Sequence, residues 1–359
     1  MVPYLLLVFF PLMLWRIGSL YRIKLGNKVL YEDKTAAIDM FMFIFLLLLS
    51  LRGLKCGNDT KQYLRLYEQY SRYNLSEILN TYDHELGYKL LNKIVRNVFN
   101  NFQMLLVITS VTCVFPLWYF YKKESEIPPL TIALFLSVAP FVMYFSGIRQ
   151  AMSMSLGILA WYAAREKRLI RFILVVVVAM FFHNSAFMLL VVYPMYRARI
   201  TKKWLWFVVP CMFAVYIYRN VIFNYLFLLL WKEYDTTPET GATMVLLLLI
   251  VFAVYSYMIP DEKLLDQDII AMRNMLLLSV VLQIFAMLHP LSMRMNYYFL
   301  LYVPILIPKI AKRCKKGYSQ VAQLSVVVMT VFFIYYFLIN GIKDNDDLNI
   351  FPYIPFWQN

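Results

Sequence analysis

Three arginines and a histidine, Arg52, Arg149, Arg294 and His183, interrupt or border long apolar stretches. An ionisable side chain at membrane depth is costly unless it is paired or faces water, so a convergent set of them marks a site for an anionic ligand. His183 adds proton chemistry, because a histidine imidazole ordinarily titrates near ~6.5, close to neutral pH.

The segments that must position these residues are membrane helices. The chain has 359 residues, 62% of them hydrophobic and only 16% charged, and its apolar runs are too long and too frequent for a soluble core. A spanning helix needs ~20 predominantly apolar residues. Windows near 2–15, 36–51, 102–121, 130–146, 150–164, 204–218, 242–259, 274–289, 295–308 and 321–340 meet or approach that length. The first window lacks a basic leader and a small-residue cleavage site and reads as a retained helix. The expectation is an all-α polytopic integral membrane protein of about eleven to twelve hydrophobic segments, forming one transmembrane domain over residues 1–359.

The formal net charge of +14 does not indicate nucleic acid, because the basic residues are distributed between the apolar segments and gather on no single face or arm. Clusters at Arg16/Arg22/Lys24/Lys28/Lys34, Lys122/Lys123, Arg165/Lys167/Arg168/Arg171, Arg197/Arg199/Lys202/Lys203 and Lys309/Lys312/Arg313/Lys315/Lys316 encode topology instead. The positive-inside rule places each of them in the cytoplasm and the N-terminus outside. Residues 172–196 lie between two such clusters, so a single crossing would put the 309–316 loop on the wrong side. A helical hairpin over 172–196 with His183-Asn184 at its turn removes the conflict, with arms that reach only ~17 Å each. Arms so short persist in lipid only if other helices enclose the turn. With this hairpin, Arg52, Arg149, His183 and Arg294 share the outer side.

On that map residues 52–101 form the long extracytoplasmic loop and residues 341–359 an extracytoplasmic tail. Helical spacing of Leu64, Tyr67 and Tyr70, and of Tyr88, Leu91, Val95, Val98 and Phe102, predicts amphipathic helices in the loop. Cys56, Cys113, Cys211 and Cys314 are scattered and suggest neither a disulfide framework nor a metal site. The three histidines, His84, His183 and His289, lack the i, i+4 spacing of a helical ligand pair, so no metal is expected. His84 reads as solvent-exposed and His289, before Pro290, as structural. Asp344, Asp346 and Asp347 read as a solvated acidic tail. A phosphate-binding Gly-rich loop and a nucleophile elbow are both missing from the sequence, which excludes a nucleotide-hydrolysing pump.

Several short motifs resemble those of EpsG-type exopolysaccharide polymerases, which are Wzy-like. Arg52-Gly53 followed by Asn58-Asp59-Thr60 and Tyr63 is similar to the segment after the family's second helix. Glu85-Leu86-Gly87-Tyr88 with Leu91-Asn92, Gly147-Ile148-Arg149-Gln150-Ala151 with Ser153, Phe182-His183-Asn184-Ser185-Ala186, and Ser292-x-Arg294 with Tyr297-Tyr298 follow in the family's order. Leu54-Lys55-Cys56 departs from the pattern, standing where a shorter and more polar link is expected.

The resemblance implies a GT-C-like glycosyltransferase of the bacterial cytoplasmic membrane. It would join oligosaccharide repeat units carried on undecaprenyl pyrophosphate, at the outer face, for exopolysaccharide, capsule or O-antigen. No cofactor is implied; partners would be the lipid-linked glycan, membrane lipid, and the chain-length regulator and flippase of the pathway. Arginine keeps its charge and forks onto phosphate oxygens, so Arg149 and Arg294 are the expected pyrophosphate clamp, with Arg52 a third candidate. The acceptor hydroxyl must lose a proton, and His183, Glu85 and Asp59 are the candidate bases. Gln150 and Tyr297 are candidates for other substrate contacts.

Each residue has a plainer reading. Arg149 can snorkel from a helix end with Ser153 as a local partner. Asp59 can cap a helix that starts at Thr60. His183 can bond turn backbone, and Tyr297 can belong to an aromatic belt. Two other functions use the same arginines: a flippase for the same lipid pyrophosphate, and a ligase that passes finished glycan to another acceptor.

Overall fold

Apolar runs punctuated by proline and by basic turns fold into helices of very unequal length. The computed structural model describes residues 2–20, 23–25, 28–31, 35–81, 84–137, 140–230, 242–259, 262, 265–313, 328 and 349–358. The 321–340 window apart from Val328, the tail acids Asp344, Asp346 and Asp347, and Cys314 lie outside the described residues.

In chain order come α1 (Val2–Leu20), a two-stranded antiparallel ribbon of β1 (Ile23–Leu25) and β2 (Lys28–Tyr31), and α2 (Ala36–Ser50). The loop after α2 then carries α3 (Thr60–Arg72), α4 (Leu75–Asn80) and α5 (Leu86–Phe99). Next are α6 (Phe102–Glu124), α7 (Pro128–Ser137), α8 (Pro140–Ser146), α9 (Ile148–Arg165), α10 (Leu169–Met180), a 3-10 helix over Asn184–Val191, and α11 (Val192–Arg197). A 3-10 turn at Lys202–Trp204 leads into α12 (Leu205–Ile217), followed by α13 (Arg219–Leu230), α14 (Ala242–Ser256), α15 (Gln267–Ala286), α16 (Pro290–Leu300) and α17 (Val303–Arg313). The ribbon is the described exception to an otherwise helical chain.

Among the described residues α6 and α15 are long and apolar enough to cross a membrane unaided. Two bent pairs, α7 with α8 and Asn184–Arg197 with Lys202–Ile217, raise the count to four, and Val2–Arg16, α2, α10 and α14 are shorter apolar helices. This is fewer full-length spans than the eleven to twelve segments expected. The windows were counted by hydropathy alone, whereas the helices break within them: 130–146 is divided before Pro140, and 295–308 before Pro304. Broken helices persist at membrane depth where neighbouring protein satisfies the freed backbone groups.

Central to the packing is α9, which lies against α6, α8, α10, α11 and α16. Trp161 on α9 is fully buried, 4.7 Å from the Tyr302 ring and 5.1 Å from that of Tyr196. Ser153 donates to the Ala179 carbonyl at 2.7 Å, fastening α9 to α10; it is not the local partner of Arg149 that its spacing suggested. The chain turns at Phe181–His183 and returns along α10 as the 3-10 helix, whose ~2.0 Å rise per residue lengthens the returning arm.

The two ends of α9 differ sharply. At the far end Arg165 pairs with Glu124 at 2.8 Å and with Asp268 at 3.0 Å, and Lys309 reaches Glu124 at 2.8 Å. Arg313 pairs with Glu126 at 3.0 Å. Several residues of the sequence's basic clusters therefore meet at one end of the bundle. Arg149 stands at the opposite end, sixteen residues or ~24 Å along the helix.

The 52–101 loop is held from within. Tyr63, Leu66, Tyr67 and Tyr70 form the buried stripe of α3, while Val98 of the expected α5 stripe is exposed. The Lys89 ammonium donates to the carbonyls of Ile78 and Thr81, and Lys93 donates to those of Ser71 and Tyr73, tying α5 to the ends of α3 and α4. His84 is half-buried with its Nδ1 2.6 Å from the Tyr70 hydroxyl, where exposure was expected. Residues 349–358 form a strap across the start of the loop: Gly53 N–H donates to Ile354 O at 2.8 Å, Gly57 N–H to Asn349 O at 2.7 Å, and Phe356 N–H to Leu51 O at 2.9 Å.

Candidate active site

Where the 52–101 loop meets the hairpin turn, Gly87 N–H donates to the Phe181 carbonyl at 2.8 Å. A Cβ on Gly87 would lie 2.7 Å from that same oxygen, so a residue without one is needed for the two backbones to approach. This docking places Glu85, at the start of α5, against the N-terminus of the 3-10 helix.

The Glu85 carboxylate then has three partners. One oxygen accepts from Asn184 N–H at 3.1 Å and lies 3.1 Å from His183 Nδ1; the other accepts from Arg149 Nη1 at 2.5 Å. Glu85 is 7% exposed, His183 19% and Arg149 22%, so a buried carboxylate underpins two groups that still reach a solvent-facing surface. Burial by itself pushes the Glu85 carboxyl up. The hydrogen bond with His183, the Arg149 charge and the backbone outweigh it and hold Glu85 down at about 2. An ionised carboxylate only accepts hydrogen bonds, so His183 Nδ1 carries the proton of that contact and a neutral ring keeps its lone pair on Nε2. A carboxylate held so low is a poor proton acceptor at neutral pH.

Arg149 also lies over the Tyr88 ring, with Cζ 5.9 Å from the centroid, and Tyr88 packs edge-on at 5.7 Å against Tyr63 of α3. Arg149 on α9 and the ring and carboxylate at the start of α5 thus fix one another, with Tyr63 of α3 behind the ring.

Arg294 joins through Gln150. The Gln150 side chain is buried and donates Nε2 to the Arg294 carbonyl at 2.5 Å, locking α16 to the start of α9. That contact accounts for the amide nitrogen expected to touch substrate, although its buried Oε1 has no partner among the described residues. The Arg294 side chain is exposed and makes no ion pair among the described residues. Tyr298 is buried, its hydroxyl 3.0 Å from Ser185 Oγ on the hairpin, whereas Tyr297 is half-buried and packed against the core. His289 caps α16, its Nδ1 accepting from Leu291 N–H at 3.0 Å.

Asp59 precedes α3, but its side chain makes no capping bond. Burial raises its carboxyl above the ordinary 3.8 while the charges of Arg294 and Arg149 pull the other way, which places it close to both. Gly57, at φ +91°, and the Asn58 N–H bond to Ser146 Oγ at 3.0 Å hold this turn on the residues just before Arg149. Asp59, Glu85, Arg149, His183 and Arg294 therefore belong to one neighbourhood, although they come from five stretches of chain.

Arg52 is set apart from it. It is 1% exposed beneath the strap, bridged to Pro355, and donates to the Leu49 carbonyl at 2.7 Å. A guanidinium enclosed in this way cannot meet an incoming phosphate, so its expected place in the clamp gives way to a structural one. Tyr88, Gly87 and the Asn184 N–H are contributors that side-chain chemistry alone did not single out; the sole sequence signal was their presence in the recurring motifs.

The helices, with a cluster in which Arg149 and Arg294 stand with Glu85, His183 and Asp59, define a membrane protein with a pre-formed polar site. The chain belongs to the EpsG family, a Wzy-like polysaccharide polymerase family, whose model matches residues 38–354. Comparison with curated proteins and with solved structures gives no match.

Proposed function

We propose that the protein is a lipid-linked glycan polymerase of the bacterial cytoplasmic membrane, joining repeat units carried on undecaprenyl pyrophosphate at the outer face. The observation that carries this reading is the convergence of Arg149 and Arg294 beside a Glu85–His183 pair. Arg149 and Arg294 bind the pyrophosphate and stabilise the charge that builds on its bridging oxygen as the glycosidic bond breaks, without a bound metal. His183 Nε2 takes the proton of the attacking sugar hydroxyl, while Glu85 fixes the ring and its tautomer, as a carboxylate does for an imidazole in a catalytic triad. Asp59, whose carboxyl feels both guanidinium charges, tempers their pull on an anion.

An apolar trough of about 720 Å³ between α12, α14 and α15 supports the lipid side of this reading. Leu277, Val280, Ile284 and Met287 line it along α15, and its Met287 end lies seven residues before Arg294. A polyprenyl chain lying there would present its pyrophosphate to the arginines. In this reading the N-terminus, the 52–101 loop and the strap are extracytoplasmic, and the architecture is GT-C-like.

The test is an assay of purified protein in nanodiscs with a synthetic lipid-pyrophosphate repeat unit. A ladder of added repeats is expected, and Arg149→Lys or Arg294→Lys should insert normally yet lose most of it, because lysine keeps the charge without the planar fork. Substrate that crosses vesicles unchanged would mean a flippase, and full polymerisation by both variants would remove the clamp.

A further inference from the structure

A second cavity, of about 470 Å³, opens between the start of the outer loop and the strap of residues 349–358. Its volume is within the ~300–1,000 Å³ range of small-molecule sites. Its walls are unlike those of the apolar trough. Lys55 and Lys61 stand on one side, Asn58 and Asn349 contribute amides, and the Phe351 ring supplies an apolar face. Both lysines are exposed, and neither makes an ion pair or hydrogen bond among the described residues. The two amides share one hydrogen bond, Asn349 Nδ2 to Asn58 Oδ1 at 3.1 Å, which leaves further donors and acceptors on each. Main-chain bonds from Gly53 and Gly57 to the strap set the width of the cavity, so it is built before any ligand arrives.

Amides to meet hydroxyls, a ring to meet a sugar face and two free ammonium groups are complementary to one class of ligand. We propose that this cavity is a saccharide subsite selective for an acidic sugar, one that bears a carboxylate or phosphate. Residue order ties it to the arginine cluster: Asn58 lines the cavity, and the next residue, Asp59, is the carboxyl under the influence of Arg149 and Arg294. A glycan held here would lie beside the chain segment that carries Asp59. The choice of a saccharide rests on the polymerase reading; the preference for negative charge rests on the two lysines. It also gives a use to Leu54-Lys55-Cys56, the segment where the sequence departs from the family pattern, since that insertion carries one of the two cations.

The test uses the full-length protein in nanodiscs, titrated calorimetrically with trigalacturonate and with maltotriose as its neutral counterpart. Trigalacturonate should bind more tightly, with an affinity that falls as salt rises, and the double variant Lys55→Gln/Lys61→Gln should weaken it about tenfold while leaving maltotriose unchanged. Equal binding of the two sugars, failure of trigalacturonate to bind, or an unaltered affinity in the double variant would overturn the proposal. Inorganic pyrophosphate serves as the second probe. Its binding should be retained in the lysine variant, which shows that the variant is folded, and lost in Arg149→Gln/Arg294→Gln. Wild-type protein that binds trigalacturonate but not pyrophosphate would defeat the clamp and leave the acidic-sugar subsite standing.

Discussion

Glu85→Gln tests the core of the site because it removes one charge while keeping the shape of the side chain. The native carboxyl is held at about 2 against an ordinary 4.5, a difference equivalent to about 3 kcal/mol of stability at neutral pH. The low value belongs to the folded state, so this contribution is complete above the unfolded value of 4.5 and is lost as pH falls through the folded one. At pH 3 the linkage relation leaves about 1.4 kcal/mol. Denaturant unfolding of wild type and variant in the same micelles should therefore show a gap of about 3 kcal/mol at pH 7 that shrinks to less than half by pH 3. Because Arg149 loses its only carboxylate partner among the described residues, Arg149→Gln in the Glu85→Gln background should cost less than it does in wild type. Equal stability of wild type and variant at pH 7, or strictly additive effects of the two substitutions, would refute the claim that this ion pair organises the site.

Two further outcomes follow from the geometry. Gly87→Ala drives a methyl against the Phe181 carbonyl, 2.7 Å from its own position; a loss of about 1–3 kcal/mol in unfolding measurements, with faster hydrogen exchange at the start of α5, is expected. In the proposed clamp Asp59 opposes the charges of Arg149 and Arg294, so Asp59→Asn should bind inorganic pyrophosphate more tightly than wild type at neutral pH. Protonation of Asp59 has the same effect, hence the gap should close as pH falls toward its raised value, above 3.8; titrations that coincide at every pH would place Asp59 away from the anion.

What the sequence disclosed and what it concealed follow from the range of the forces involved. The helical, apolar character of the chain is local and was legible in composition. The helix breaks before Pro140 and Pro304 depend on what packs around them, a non-local property that hydropathy windows do not carry. Arg149, Arg294, His183, Glu85 and Asp59 were singled out by residue type and motif, but the order of their partnership was not. Nothing in the spacing reveals that Glu85 grips both Arg149 and His183, or that Ser153 turns to Ala179 instead of Arg149. Arg52 is the instructive case: in the sequence it resembles the other two arginines, and only the strap, some three hundred residues later, distinguishes it. Asp59 stands in the right place for a helix cap, yet its carboxyl turns elsewhere.

That strap ties the timing of synthesis to the completion of the outer face. Leu51, Gly53 and Gly57 leave the ribosome early, and their backbone partners at Phe356, Ile354 and Asn349 leave it about three hundred residues afterwards. Until then the Arg52 guanidinium stands uncovered and the walls of the lysine cavity are missing. Because contacts so remote in sequence form slowly, the helices are assembled first and the strap-covered face of the loop last.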